Sequence, residues 1–170
     1  MKRLLAAVVA LFVLTGCAAS PSADSPYSSN DLMFAQMMIP HHEQAIEMSD
    51  IALTNSSSPE ILQLAQEIKD AQAPEIQTMR GWLGDSAEMH SGHSMDGMLS
   101  EAEMSALRDA EGVSFDRLFL EGMIAHHEGA IKMAQDVVKS KNAEVAALAT
   151  AIIDAQQKEI AYMQELLKFF

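Results

Sequence analysis

Aromatic rings, cysteine and positive charge are all scarce in this chain. Cys17 is its only cysteine, which rules out an internal disulfide and a disulfide-stapled fold. Phe, Tyr and Trp make up 5% of the residues, so a core must be built from Ala, Leu, Ile and an unusual load of thirteen Met. Eleven Lys and Arg face 24 Asp and Glu, a balance that disfavours nucleic acid and favours cations. The longest apolar run, Leu4 to Leu14, falls short of the roughly 20 residues a transmembrane helix needs. No Gly-rich phosphate loop and no nucleophile–base pairing stands out, and no Glu-x-x-His occurs. These absences argue against an enzyme, including a di-iron oxidase of the bundle type.

The N-terminus carries a charged start (Met1-Lys2-Arg3), the short apolar run, and Leu14-Thr15-Gly16-Cys17, the architecture of a secretory signal. The last four residues resemble the lipobox of bacterial lipoproteins. That resemblance implies removal of residues 1–16, lipidation of Cys17, and an extracytoplasmic protein anchored to a membrane of the cell envelope. The stretch Ala18 to Ser29, rich in Ser, Pro and Ala, reads as a flexible tether.

Beyond the tether, one phrase occurs twice: MIPHHEQAIEM over Met38 to Met48 and MIAHHEGAIKM over Met123 to Met133. The likeness continues from Glu60–Met79 to Glu144–Met163, sharing Leu64/Leu148, Gln72/Gln156 and Glu75/Glu159 among others. Helical periodicity and end signals predict a helix over about Asn30 to Thr54, and a second from a Ser58 cap and Pro59 to a stop at Gly84. A short helix should open at the Ser100–Glu103 capping box and end at Gly112. Ser114 should cap a helix over Phe115 to Ser140, and Asn142 one over Ala143 to Phe169. Two proline positions, Pro40 and Pro74, lie inside helices and should bend them. The expected fold is all-α: a four-helix bundle made of two repeated hairpins, repeat one over 30–83 and repeat two over 114–170, with a connecting segment and short helix over 84–113.

At 100° per residue, His41 and His126 lie at the centre of their apolar stripes. His42 and His127 fall on a flank, and Glu43 and Glu128 face water. On the partner helices, Gln72 with Glu75 and Gln156 with Glu159 interrupt otherwise apolar stripes. Counting about 1.5 Å of rise per residue from each turn, His41 and Met38 come level with Gln72 and Glu75, and His126 and Met123 with Gln156 and Glu159. A buried carboxylate needs a partner. His41 with Glu75 and His126 with Glu159 are therefore expected pairs, either as a metal site or as metal-free ion pairs that fix the bundle's register and raise the histidine pKa.

The metal candidates are Met38, His41, His42, Gln72, Glu75, Met123, His126, His127, Gln156 and Glu159. Imidazole suits copper, zinc and iron, whereas thioether favours Cu(I), so copper is the metal expected. Secondary candidates are Met89, His90, His93, Met95 and Met98 of the Gly-punctuated connecting segment. Met48 and Met133 join them; both sit roughly 10 Å along the axis from the histidines, as core or as a second site.

The doubled phrase, followed one helix later by Gln-x-x-Glu-Ile-x-x-Met, resembles the secreted bacterial family known as domain of unknown function three-oh-five, over about Asp31 to Leu167. The resemblance implies a ferritin-like four-helix fold, an extracytoplasmic location and, for some members, copper binding and tolerance; a protein that binds copper to hand it on would have a copper-handling protein as partner. It carries function to Met38, His41, His42 and Met48, and to Met123, His126, His127 and Met133. Ala125 in place of Pro40, and Gly129 in place of Gln44, set the second copy apart.

Overall fold

The computed structural model describes residues 25–84 and 95–170. The expectations for the signal, Cys17 and most of the tether fall outside these residues, as do Met89, His90 and His93. Five helices follow in order: α1 (Ser29–Asn55), α2 (Pro59–Leu83), α3 (Glu101–Asp109), α4 (Gly112–Gln135) and α5 (Ala143–Leu166). No described helix is long and apolar enough to cross a membrane.

Local chemistry explains most helix ends. Ser28 caps α1 through a reciprocal box with Asp31. Ser58 caps α2, Pro59 occupies its first turn and Gly84 closes it. Ser100 and Glu103 form the expected box on α3, and Asn142 accepts from the Glu144 and Val145 amides at the start of α5. Each satisfies backbone donors that a helix start would otherwise strand.

The structure corrects four boundaries. α3 ends at Asp109, and Gly112 is the first residue of α4 rather than a stop. No side chain caps α4; burial of Phe115 and Asp116 in its first turn anchors it instead. α4 and α5 end earlier than periodicity suggests, at Gln135 and Leu166, each followed by a turn. The helices run unbroken through Pro40 and Pro74.

α1 packs on α2, α4 on α5, and α1 on α4, so two antiparallel hairpins meet through their first helices. The apolar interior divides in two. One cluster joins Ala45, Met48 and Ala52 of α1 to Phe115, Phe119, Leu120 and Met123 of α4. The other joins Phe34, Ala35, Met38 and Ile39 to Ala130, Ala134 and Val137. The C-terminal half of α1 therefore lies against the N-terminal half of α4 and vice versa, so the two helices run antiparallel. α2 contributes Ile61 to Ile68 to the first cluster and Ile76 to Leu83 to the second; α5 contributes Met163 and Leu166 to the first, and Val145 to Ile152 to the second. Between these sets, the buried side chains on every long helix are polar.

Candidate metal site

That midpoint layer holds His41, His42, His126 and His127, all fully buried, with Gln72 and Gln156 at 2% exposure. Glu75 and Glu159 reach it from α2 and α5 while remaining about one-fifth exposed. The His41 and His126 rings face each other across the α1–α4 contact with centroids 3.8 Å apart. The centroids of His126 and His127 are 6.3 Å apart. Glu43 turns outward to Arg80 at 2.6 Å and Glu128 is exposed, as the helical angles predict.

The expected pairing of the first histidines with the acids is overturned. His42 Nε2 lies 2.8 Å from Glu75 Oε2, and His127 Nε2 lies 2.6 Å from Glu159 Oε2; the second histidine of each pair takes the acid. The reason is geometric. α1 packs on α4 as well as on its hairpin partner α2, so its buried arc is wider than a single stripe. The centre of the stripe points at α4, while the flank about 100° away points at the hairpin partner α2. α4 repeats the arrangement with α1 and α5.

These contacts fix the proton positions that matter for metal chemistry. A carboxylate can only accept, so His42 and His127 each donate from Nε2; His41 donates from Nε2 to the Asp96 carbonyl at 3.2 Å. In a neutral ring this leaves Nδ1 as the lone pair. The Nδ1 atoms of all four histidines, and Nε2 of His126, are buried with no hydrogen-bond partner, as are both side-chain polar atoms of Gln72 and the Gln156 oxygen. Burial pulls the His41 pKa down to about 3, its neighbours His42 and His127 adding to the effect against the bond to Asp96. Burial, then the nearby His41, His127 and His42, hold His126 well below the ordinary imidazole value. Both rings are thus neutral at physiological pH, the protonation state that binds metals. The raised histidine pKa of the metal-free ion-pair arrangement is not found at either position.

Among the described residues, no three His, Cys, Asp or Glu side chains form a ready-made chelate. The layer instead supplies buried imidazoles in pairs, two of them braced by carboxylates. That donor set fits a soft monovalent ion, which accepts few ligands, better than Zn(II), which seeks four.

Residues 95–99 form a strap over the facing rings. Besides the Asp96 carbonyl on His41, the Gln44 amide group brackets Leu99, donating to its carbonyl at 2.9 Å and accepting from its amide at 2.8 Å. Gly97, at φ +85°, sits so close to α4 that a Cβ would lie 2.3 Å from the Ala125 carbonyl oxygen. At Gly129 a Cβ would lie 1.9 Å from the Asp96 oxygen. The differences between the two copies therefore have a structural reason: Gln44 grips the strap where Gly129 makes room for it.

Of the remaining candidates, Met38 and Met123 are buried on opposite sides of the histidine layer, in the second and first clusters respectively. Met48 is core, Met133 is half-buried, Met95 is buried in the strap and Met98 partly so. Asp31 and Asp116, both 3% exposed, were not singled out by periodicity. Asp116 accepts from the Ser56 hydroxyl at 2.5 Å. Burial pushes the Asp31 carboxyl up, but hydrogen bonds from Ser140 and Ser28 outweigh it and leave its pKa lowered. Each hairpin's turn serine thus latches onto the first turn of the other hairpin. The signal was present in the repeat, which aligns Asp31 with Asp116 and Ser56 with Ser140.

Comparison with known proteins agrees with this architecture. The family model for the domain of unknown function DUF305 matches residues 31–167. A DUF305 fragment from Deinococcus radiodurans is 30% identical with a TM-score of 0.79, covering 85% of this chain and 99% of that one. A DUF305 protein from Streptomyces coelicolor, described as secreted, is 32% identical with a TM-score of 0.76, covering 82% and 93%. CopM in its Cu(I)-bound form is 33% identical with a TM-score of 0.69, covering 81% and 95%. It is also known in Cu(II)-bound, silver-bound and apo forms. No curated protein matches the chain. With the repeat, the all-helical fold and the family model in agreement over nearly the whole described domain, the chain belongs to the DUF305 family.

Proposed function

We propose that this protein is an extracytoplasmic lipoprotein, held by a lipid on Cys17, that takes up copper at its histidine layer and either stores the ion or passes it to a copper-handling partner. The observation that carries the reading is the set of buried, unpartnered imidazole nitrogens, with three of the four rings oriented through Nε2 so that Nδ1 is left as donor. A carboxylate behind a metal-binding histidine is the usual outer support of such ligands: it fixes the tautomer and raises basicity. Glu75 and Glu159 stand in that place. When bound, copper would supply no catalysis here; the layer offers storage and release. Copper- and silver-bound CopM supports a soft ion as cargo, and thioether-rich surroundings favour Cu(I) within that class.

The test is calorimetric titration of the mature domain with Cu(I) and with Cu(II), beside a His41→Ala/His126→Ala variant checked for helicity. Tighter Cu(I) binding by the parent is expected; equal affinity in the two would overturn the proposal. The lack of a ready-made three-ligand chelate among the described residues favours a second reading, a metal-free helical interaction module of the envelope. Under it, His42→Leu with Glu75→Leu would be neutral or stabilising, and copper would leave the melting temperature unchanged.

A further inference from the structure

The antiparallel packing of α1 and α4 gives the bundle two equivalent grooves along that contact, one on each side of the histidine layer, and the two have different linings. On one side the groove carries Leu118 and Gly122, with Gly97, Met98 and Leu99 of the strap along its wall, around a cavity of about 320 Å³; a Cβ on Gly122 would lie 3.2 Å from Leu99 and 3.3 Å from the Met48 methyl. Shifted by one repeat, Leu118 becomes Met33, Gly122 becomes Met37 and Met48 becomes Met133. No strap residue lines this second groove. It remains a cavity of about 290 Å³ lined by Asn30, Met33, Phe34, Met37, Met133 and Asp136.

Its methionines do not behave as core filler. Met33 is 51% exposed, and Met37 and Met133 are only half-buried. Met33 and Met37 stand one turn apart on a single face of α1, the spacing at which side chains meet, and Met133 faces them from α4. Phe34, 4% exposed, supplies an apolar wall, and Asp136 adds a negative charge at the rim. Flexible thioethers around an open cavity, with one carboxylate to offset a positive charge, are the donor set of a soft monovalent metal ion.

We propose that Met33, Met37 and Met133 form a surface thioether site for Cu(I), with Asp136 at its edge, distinct from the histidine layer. Met37 lies four residues before His41, about 6 Å along α1, so an ion held here stands one turn from the buried imidazoles, in the groove that no strap residue lines. The site has its own donors and does not require the histidine layer to bind.

The test uses the mature domain with methyl-labelled methionine and Ag(I), a redox-inert stand-in for Cu(I), titrated until no further change occurs. The Met33, Met37 and Met133 methyl resonances should shift together, while those of buried Met79 and Met163 stay in place. A Met33→Leu/Met37→Leu/Met133→Leu variant, close to the parent in volume, should keep its melting temperature and bind about one ion fewer per chain. Methyl signals of the three residues unmoved at saturation, or an unchanged ion count in a folded triple variant, would overturn the site. Histidine ring resonances followed in the same titration report the inner layer separately, so that loss of one site is not mistaken for loss of the other.

Discussion

At the scale of single residues, the layer's chemistry is set by protons that the fold excludes. Between about pH 6.5 and 3, His41 takes up a proton in the unfolded chain but not in the folded one, and His126 shifts in the same direction. Stability of the metal-free protein is therefore full above pH 6.5 and falls as the pH drops toward 3, by up to about 1.4 kcal/mol per pH unit for each ring. Urea unfolding at pH 7, 5 and 4 measures this, and His41→Gln should flatten the dependence. Glu75→Ala or Glu159→Ala should weaken copper binding by about 10- to 100-fold and, by stranding the buried Nε2–H of His42 or His127, should cost about 1–3 kcal/mol of stability; competition with a chromophoric Cu(I) chelator reads the affinity. Residue types and their level on the helices were legible from the repeat, and so was the outward turn of Glu43. The histidine that meets each acid was not. A helical wheel gives angles around one axis, whereas the choice between His41 and His42 depends on which neighbour occupies which side.

At the scale of elements, helix ends with their own side-chain chemistry were legible. Ser58, Pro59 and Gly84 bracket α2 as expected, and Asn142 opens α5. The start of α4 was not, because Glu111 supplies no cap and the helix is held from a distance by Phe115, Asp116 and the latch to Ser56. That latch should have measurable weight. Asp116→Ala leaves the Ser56 hydroxyl without its carboxylate and should cost about 1–3 kcal/mol, with a coupling to Ser56→Ala in a double-mutant cycle. The strap is similarly testable. Gly129→Ala must displace the Asp96 carbonyl and should cost about 1–3 kcal/mol. It should also uncover His41, which faster solvent exchange of its ring N–H would report. Ala125 and Gly129 were visible as departures from the first copy, but their meaning needed the strap. No local pattern in 95–99 announces that those residues lie on α4.

For the whole molecule, a polar layer between two apolar clusters makes stability depend on any ion that binds there. An ion that binds the folded bundle alone stabilises it by about 4 kcal/mol at a thousand times its dissociation constant. Thermal melts with and without Cu(I) should then separate by several degrees, and a His41→Ala/His126→Ala variant should lose that separation. The four-helix plan followed from the two hairpin copies. The split core did not, since it depends on α1 and α4 running antiparallel with their histidines at the crossing. That crossing has an implication for ancestry. His41 and His126 sit where a twofold axis would pass, and each hairpin latches the other's first turn through the same Asp and Ser, the self-complementary pattern of an isologous dimer. The chain is what fusion of two identical hairpins would yield. Gln44, Ala125 and Gly129 then mark where the joining segment made the halves unequal, leaving one groove walled by that segment and the other lined by methionines.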